Sequence, residues 1–164
     1  YNSIWVYANA DLGFVPGDIV SIQGEYYEYF DLSEIDVTAG LVQPVGAGPV
    51  PPPSIVPAGV LVDPVTAEPW ESCLITIPDQ GTVNVPPPYD FGEWPVTYAE
   101  GDITFDDFWY DDETVMEGDC YDAVTGILYF SFGNFKMNPF VDGIDFCPVA
   151  TDQETFGGLK ALYR

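Results

Sequence analysis

The sequence predicts an all-β domain. Three observations carry that reading: short segments rich in β-branched and aromatic residues dominate, Gly-Asp pairs mark turns ahead of several of them, and helix signals are few. Residues 19–29, IVSIQGEYYEY, alternate strongly; Gly17-Asp18 turns the chain before them, and Gly24 marks the bend or bulge of a long strand. Residues 32–37 are its expected hairpin partner. Further strands are expected at 55–62, 73–77, 96–98, 103–109 and 126–132. Gly101-Asp102 and Gly118-Asp119 repeat the turn chemistry without implying repeated domains. Prolines 49 and 51–53, and then 86–88, favour polyproline II and form rigid loops between strands. Residues 152–164 offer one short terminal helix capped by Asp152 or Thr155, which Gly157-Gly158 weaken in favour of an extended tail.

Composition bounds the function. The 164 residues suffice for one domain, and 47% apolar content with 16% aromatics supplies a core. There are 27 acids against Lys136, Lys160 and Arg164, a net charge of -24. Such a surface repels phosphate backbones and anionic membranes, so free nucleic acid is not an expected partner, and cations are. No apolar run reaches the length of a membrane span. Histidine is absent, which removes Ser-His-Asp and Cys-His catalysis and His-ligated zinc. Carboxylate pairs are too abundant in this chain to identify a hydrolase, and no catalytic residue is assigned.

Cys73, Cys120 and Cys147 form no C-x-x-C pair. In a secreted chain two would bond and one would be left over. Three pairings exist; Cys120 with Cys147 is the first choice, because the two flank the last hairpin. A start at Tyr1 without methionine suits a mature secreted chain or a fragment.

Residues 16–35, PGDIVSIQGEYYEYFDLSEI, resemble the first hairpin of OB-fold domains in secreted bacterial nucleases. ESCLITI at 71–77 is similar to that family's Glu-Gly-Met-Leu-Val segment, with Ser72-Cys73 in place of Gly-Met. Phe91-Gly92-Glu93 follows at a similar distance, and GILYFSFGNFKMNP at 126–139 resembles the closing hairpin. The resemblance covers most of 12–146 and implies an all-β, OB-like Greek-key barrel with Pro-rich loops. It places an N-terminal extension or strand at 1–11, the barrel domain at 12–146 and a tail at 147–164. The ending TFGGLKALYR resembles C-terminal tails of exported bacterial proteins and marks Arg164 as a natural end. The nuclease domain itself has no counterpart here, so no catalytic residue carries over.

Asp106, Asp107, Asp111 and Asp112 head the densest acidic run and are the expected ligands of a calcium ion, although the EF-hand pattern is missing. Otherwise the run is a solvated edge that blocks stray strand pairing. The adjacent pairs Tyr26-Tyr27, Trp109-Tyr110 and Tyr129-Phe130 cannot all point into a core, so some aromatics cover loops, meet a partner or stack a ligand. Ile4, Trp5, Val6 and Tyr7 at one end, with Lys160, Tyr163 and Arg164 at the other, suit docking onto the barrel or onto a second copy. The leading functional reading is a secreted or cell-surface, non-enzymatic structural subunit, polymerising through strand or tail exchange. The alternative is an extracellular carbohydrate- or ligand-binding OB module. Nucleic-acid binding follows from fold analogy alone.

Overall fold

The computed structural model describes residues 3–148, and the expectations for residues 149–164 lie outside them. The strands are β1 (Trp5–Tyr7), β2 (Asp18–Tyr29), β3 (Leu32–Ala47), β4 (Ser54–Ile55), β5 (Leu74–Ile77), β6 (Gly81–Val83), β7 (Glu93–Thr97), β8 (Asp102–Asp106), β9 (Cys120–Ser131) and β10 (Asn134–Phe146).

Five of them close a barrel. β6, β7 and β8 form an antiparallel meander, β10 lies parallel to β8, and β9 runs antiparallel to both β10 and β6. This is the Greek-key arrangement of an OB barrel. β5 pairs with β9 just beyond β6, so β5 and β6 act as one long first strand. Pro78, which has no N–H to donate, stands at the interruption. Alternation fills the interior: Trp94 and Val96 from β7, Ile103 and Phe105 from β8, Tyr121, Val124 and Leu128 from β9 and Met137 from β10 are all buried. The rings of Trp94, Phe105 and Tyr121 pack in series, with centroids 5.8 and 6.1 Å apart. Burying an aromatic side chain of this size contributes about 3 kcal/mol, so this row anchors the fold. The disulfide joins Cys120 to Cys147, as the flanking positions suggested, and Cys73 is a buried free thiol.

The chain departs from the sequence reading in three places. The strand expected at 55–62 is a two-residue bridge followed by a helical turn, Ala58–Leu61. Pro57 fixes the entry at φ -60°, and Asp79 accepts a hydrogen bond from the Ala58 amide at 2.6 Å, which draws the backbone out of the sheet. The strand expected to reach Trp109 ends at Asp106. The hairpin at 16–35, which the resemblance made the barrel's first, lies outside the closed ring. β2 and β3 pair with each other, and β3 takes β1 in parallel, forming a separate three-stranded sheet.

That second sheet has two halves. Near its two-residue turn, Leu32, Glu34 and Val37 of β3 are buried, and the Ser33 amide donates to Glu71 Oε1 at 3.0 Å. Beyond, the register breaks between Gln23 and Glu25, where β3 carries the extra residues 37–40. Gly24 is required there, because a Cβ on it would lie 2.5 Å from the Asp36 carbonyl oxygen. Past the break the two strands run on as a ribbon. No residue of β2 is buried, and none of β3 from Thr38 to Ala47.

Candidate functional site

The densest convergence of chemically distinct side chains lies on the barrel wall formed by β7, β8 and β10. Glu93 opens β7 and Asp106 closes β8, and the two stand directly opposite each other in the antiparallel ladder. Like charges in that position repel. Lys136 resolves the conflict from β10, which runs parallel to β8 with Lys136 beside Thr104. Its ammonium donates to Glu93 Oε1 and lies 3.5 Å from Asp106 Oδ2. Lys136 is the only basic side chain among the described residues and is 2% exposed, while Glu93 and Asp106 keep 28% and 18%. Burial pushes the Asp106 carboxyl up; the ammonium opposes that shift, and Glu93 and Asp107 add to it.

This triad floors a cleft of about 490 Å³, a volume within the range of small-molecule sites. Phe91, Phe108, Tyr129 and Phe132 wall it, and Ser131 adds a hydroxyl. The Lys136 ammonium sits 5.5 Å from the centre of the Phe132 ring. Trp5 of β1 packs against two of these walls, its ring centroid 5.4 Å from that of Tyr129 and 6.0 Å from that of Phe108. Burial, with Asp106, Glu34 and Tyr29 nearby, raises the Tyr129 phenol, so its hydroxyl stays protonated and able to donate.

Two of the walls are held at a local cost. Phe91 has φ 61° and Phe132 φ 49°, left-handed values that are outliers for a bulky side chain. Phe132 and Gly133 are the central residues of the two-residue β9–β10 hairpin, both with positive φ, a turn that prefers Asn-Gly. The two residues are 93% and 91% exposed, so neither ring is buried, and Phe132 keeps its contact with the Lys136 ammonium. Strained backbone of this kind concentrates at binding sites. Phe91 belongs to the loop between the first two barrel strands and Phe132 to the turn between the last two, the loops that OB barrels use to hold ligands.

The positions singled out in the sequence fare differently. Asp106 is in the triad. Asp107 packs beside Gly92, Asp111 accepts from the Glu113 amide at 3.1 Å as the cap of a 3-10 turn, and Asp112 begins that turn. Among the described residues no group of three His, Cys, Asp or Glu side chains is placed to hold a metal ion. Trp5, Val6 and Tyr7 pair with Glu34, Ile35 and Asp36 of their own chain, and Ile4, just before them, is exposed; Lys160, Tyr163 and Arg164 lie outside the described residues. Sequence reasoning missed Lys136 and Glu93 as partners. A usable signal was present: Phe-Gly where a hairpin turn favours Asn-Gly, followed closely by the one lysine of the strand region. No helix among the described residues is long and apolar enough to cross a membrane. No model of a known protein family matches the chain, and no curated protein is significantly similar to it.

Proposed function

We propose that the chain is a non-enzymatic extracellular binding module that takes its ligand in the cleft over Lys136. The observation that carries this is the pair of exposed, left-handed phenylalanines, one from each ligand loop of the barrel, lining one cleft with a charge triad whose lysine is buried. A ring that is left almost fully exposed and strains its own backbone serves something outside the chain. The Cys120–Cys147 disulfide fits an oxidising compartment. Replacing Phe91 or Phe132 by asparagine, which tolerates this backbone, should therefore stabilise the protein by about 0.5–1 kcal/mol each. Urea unfolding measures it. A loss of stability above about 1 kcal/mol would mean that the rings hold the fold together, and the reading would fail.

A second reading, a structural subunit that joins copies of itself, rests on the ribbon. From Val37 to Val62 the sequence carries no charge, in a chain of net -24, and Leu41, Val45, Val50 and Ile55 are exposed there. Val20 lies opposite Pro44 and Ile22 opposite Val42, giving one face of the ribbon four apolar side chains. β2 is also an open edge along its 12 residues. Such an edge is a template for strand pairing, and the uncharged ribbon is where two acidic copies repel least. The double substitution Ile22→Glu with Val42→Glu should convert an assembled protein to monomers in a sedimentation experiment. Wild-type protein that stays monomeric at physiological salt and high concentration would remove this reading.

A further inference from the structure

Resting on the binding-module reading, we propose that the ligand of the cleft is an uncharged saccharide chain, one sugar ring lying between Phe91 and Phe132 with its hydroxyls on Glu93, Asp106, Lys136 and Ser131. The chemistry of the cleft selects by exclusion and by fit. Glu93, Asp106 and Lys136 together leave one negative charge on the floor, inside a protein of net -24, and this disfavours phosphates, uronic acids and other anions. A cationic amine would ordinarily suit an aromatic cage. Here the protein's own ammonium already lies 5.5 Å from the centre of the Phe132 ring, and a second cation would be placed against it.

An uncharged ring with apolar C–H faces and equatorial hydroxyls matches what remains. The two exposed phenyl rings supply flat apolar surfaces. The triad supplies fixed, charge-assisted partners of both kinds: carboxylate oxygens to accept and an ammonium to donate. Each carboxylate keeps lone pairs beyond those used by Lys136, and Ser131 and Tyr129 offer hydroxyls that donate or accept. Because the ammonium is locked between two acids, these groups need no rearrangement when a sugar arrives, which lowers the entropic cost of binding.

The test is calorimetric titration of the full chain with cellohexaose, maltohexaose and chitohexaose, beside adenosine and tetramethylammonium as uncharged aromatic and cationic probes. The expected result is that at least one hexasaccharide binds. Phe132→Asn and Phe91→Asn should each weaken it about tenfold, the loss of one stacking surface. Phe30→Asn should leave affinity unchanged, since Phe30 occupies the corresponding turn position with φ 50° but does not line the cleft. Trp5, in ring contact with the cleft walls Tyr129 and Phe108, should report the same binding by its fluorescence. Binding of adenosine or tetramethylammonium that Phe132→Asn abolishes, with no saccharide bound, would overturn the saccharide assignment and leave the binding module standing. Saccharide binding indifferent to both asparagine variants would also overturn it. No binding by any probe would count against both.

Discussion

Replacing Cys120 and Cys147 by serine should lower the unfolding free energy by about 3–4 kcal/mol. The bond closes a loop with a sequence separation of 27, and it ties the start of β9 to the residue after β10. Those two strands form the longest antiparallel ladder of the barrel, but their pairing is interrupted between Pro139 and Ile144 and again between Asp145 and Phe146. Ile144 with Val124 and Asp145 with Ala123 pair between the two breaks, and Phe146 with Tyr121 after the second. The disulfide, with the Cys147 amide donating to the Cys120 carbonyl at 2.8 Å, holds this far end in register. Without it the unfolded chain regains loop entropy and the end of β10 frays first. Urea unfolding of oxidised wild type against the double serine variant measures the loss. A difference below about 1 kcal/mol would mean that the ladder alone fixes the end of β10. The buried thiol of Cys73 should stay unmodified by alkylating reagents in the folded protein.

The variant Lys136→Met should be destabilised by about 3 kcal/mol at pH 7.5, the lower end of the range for breaking a buried charge pair, because Glu93 and Asp106 keep some access to water. Methionine replaces the stem of the lysine, so the loss isolates the charge. Two facing carboxylates would then remain with no cation between them. The deficit should shrink as pH falls. Asp106 already has a raised carboxyl in the folded wild type, chiefly from burial, and Glu34 and Glu71 are raised for the same reason. A group raised on folding contributes stability that is fully present below its unfolded value and is lost as pH rises through its folded value. Asp36, lowered by the Thr38 amide, works in the opposite direction. The wild type should therefore gain stability as pH falls through the raised folded values toward the ordinary carboxylate range, and the variant should gain more, since the Lys136 ammonium that opposes the rise at Asp106 is gone. A pH series of urea unfolding curves decides this. A variant deficit that is constant across the series would show that the triad contributes packing rather than charge.

Much of the fold was legible because its signals are local. Alternation marked β2, the end of β9 and the start of β3, and turn residues marked where they begin. The cysteines flanking the last hairpin pointed to their own bond. Where the reading failed, a contact from elsewhere intervened. Residues 55–62 look like a strand by composition, yet Pro57 and a hydrogen bond to Asp79 turn them into a helical corner. The hairpin at 18–47 has every local mark of a barrel strand pair. Its exclusion from the ring follows from which edges pair, and residue identity does not reveal that.

The site shows the same division. The sequence by itself determined an all-β chain, its acidity, the absence of histidine chemistry and an excess of aromatics too great for one core. The tertiary structure alone decided which of them meet. Lys136 and Glu93 are 43 residues apart, and only the parallel register of β10 on β8, with β7 beyond, brings the ammonium between two acids. Phe132 reads in the sequence as the end of a strand, yet it stands in the turn after β9, and Phe91 stands in the loop before β7. Barrel closure places both at one mouth, because β9 pairs with β6 as well as β10, and β10 with β8, which brings together loops that are distant along the chain.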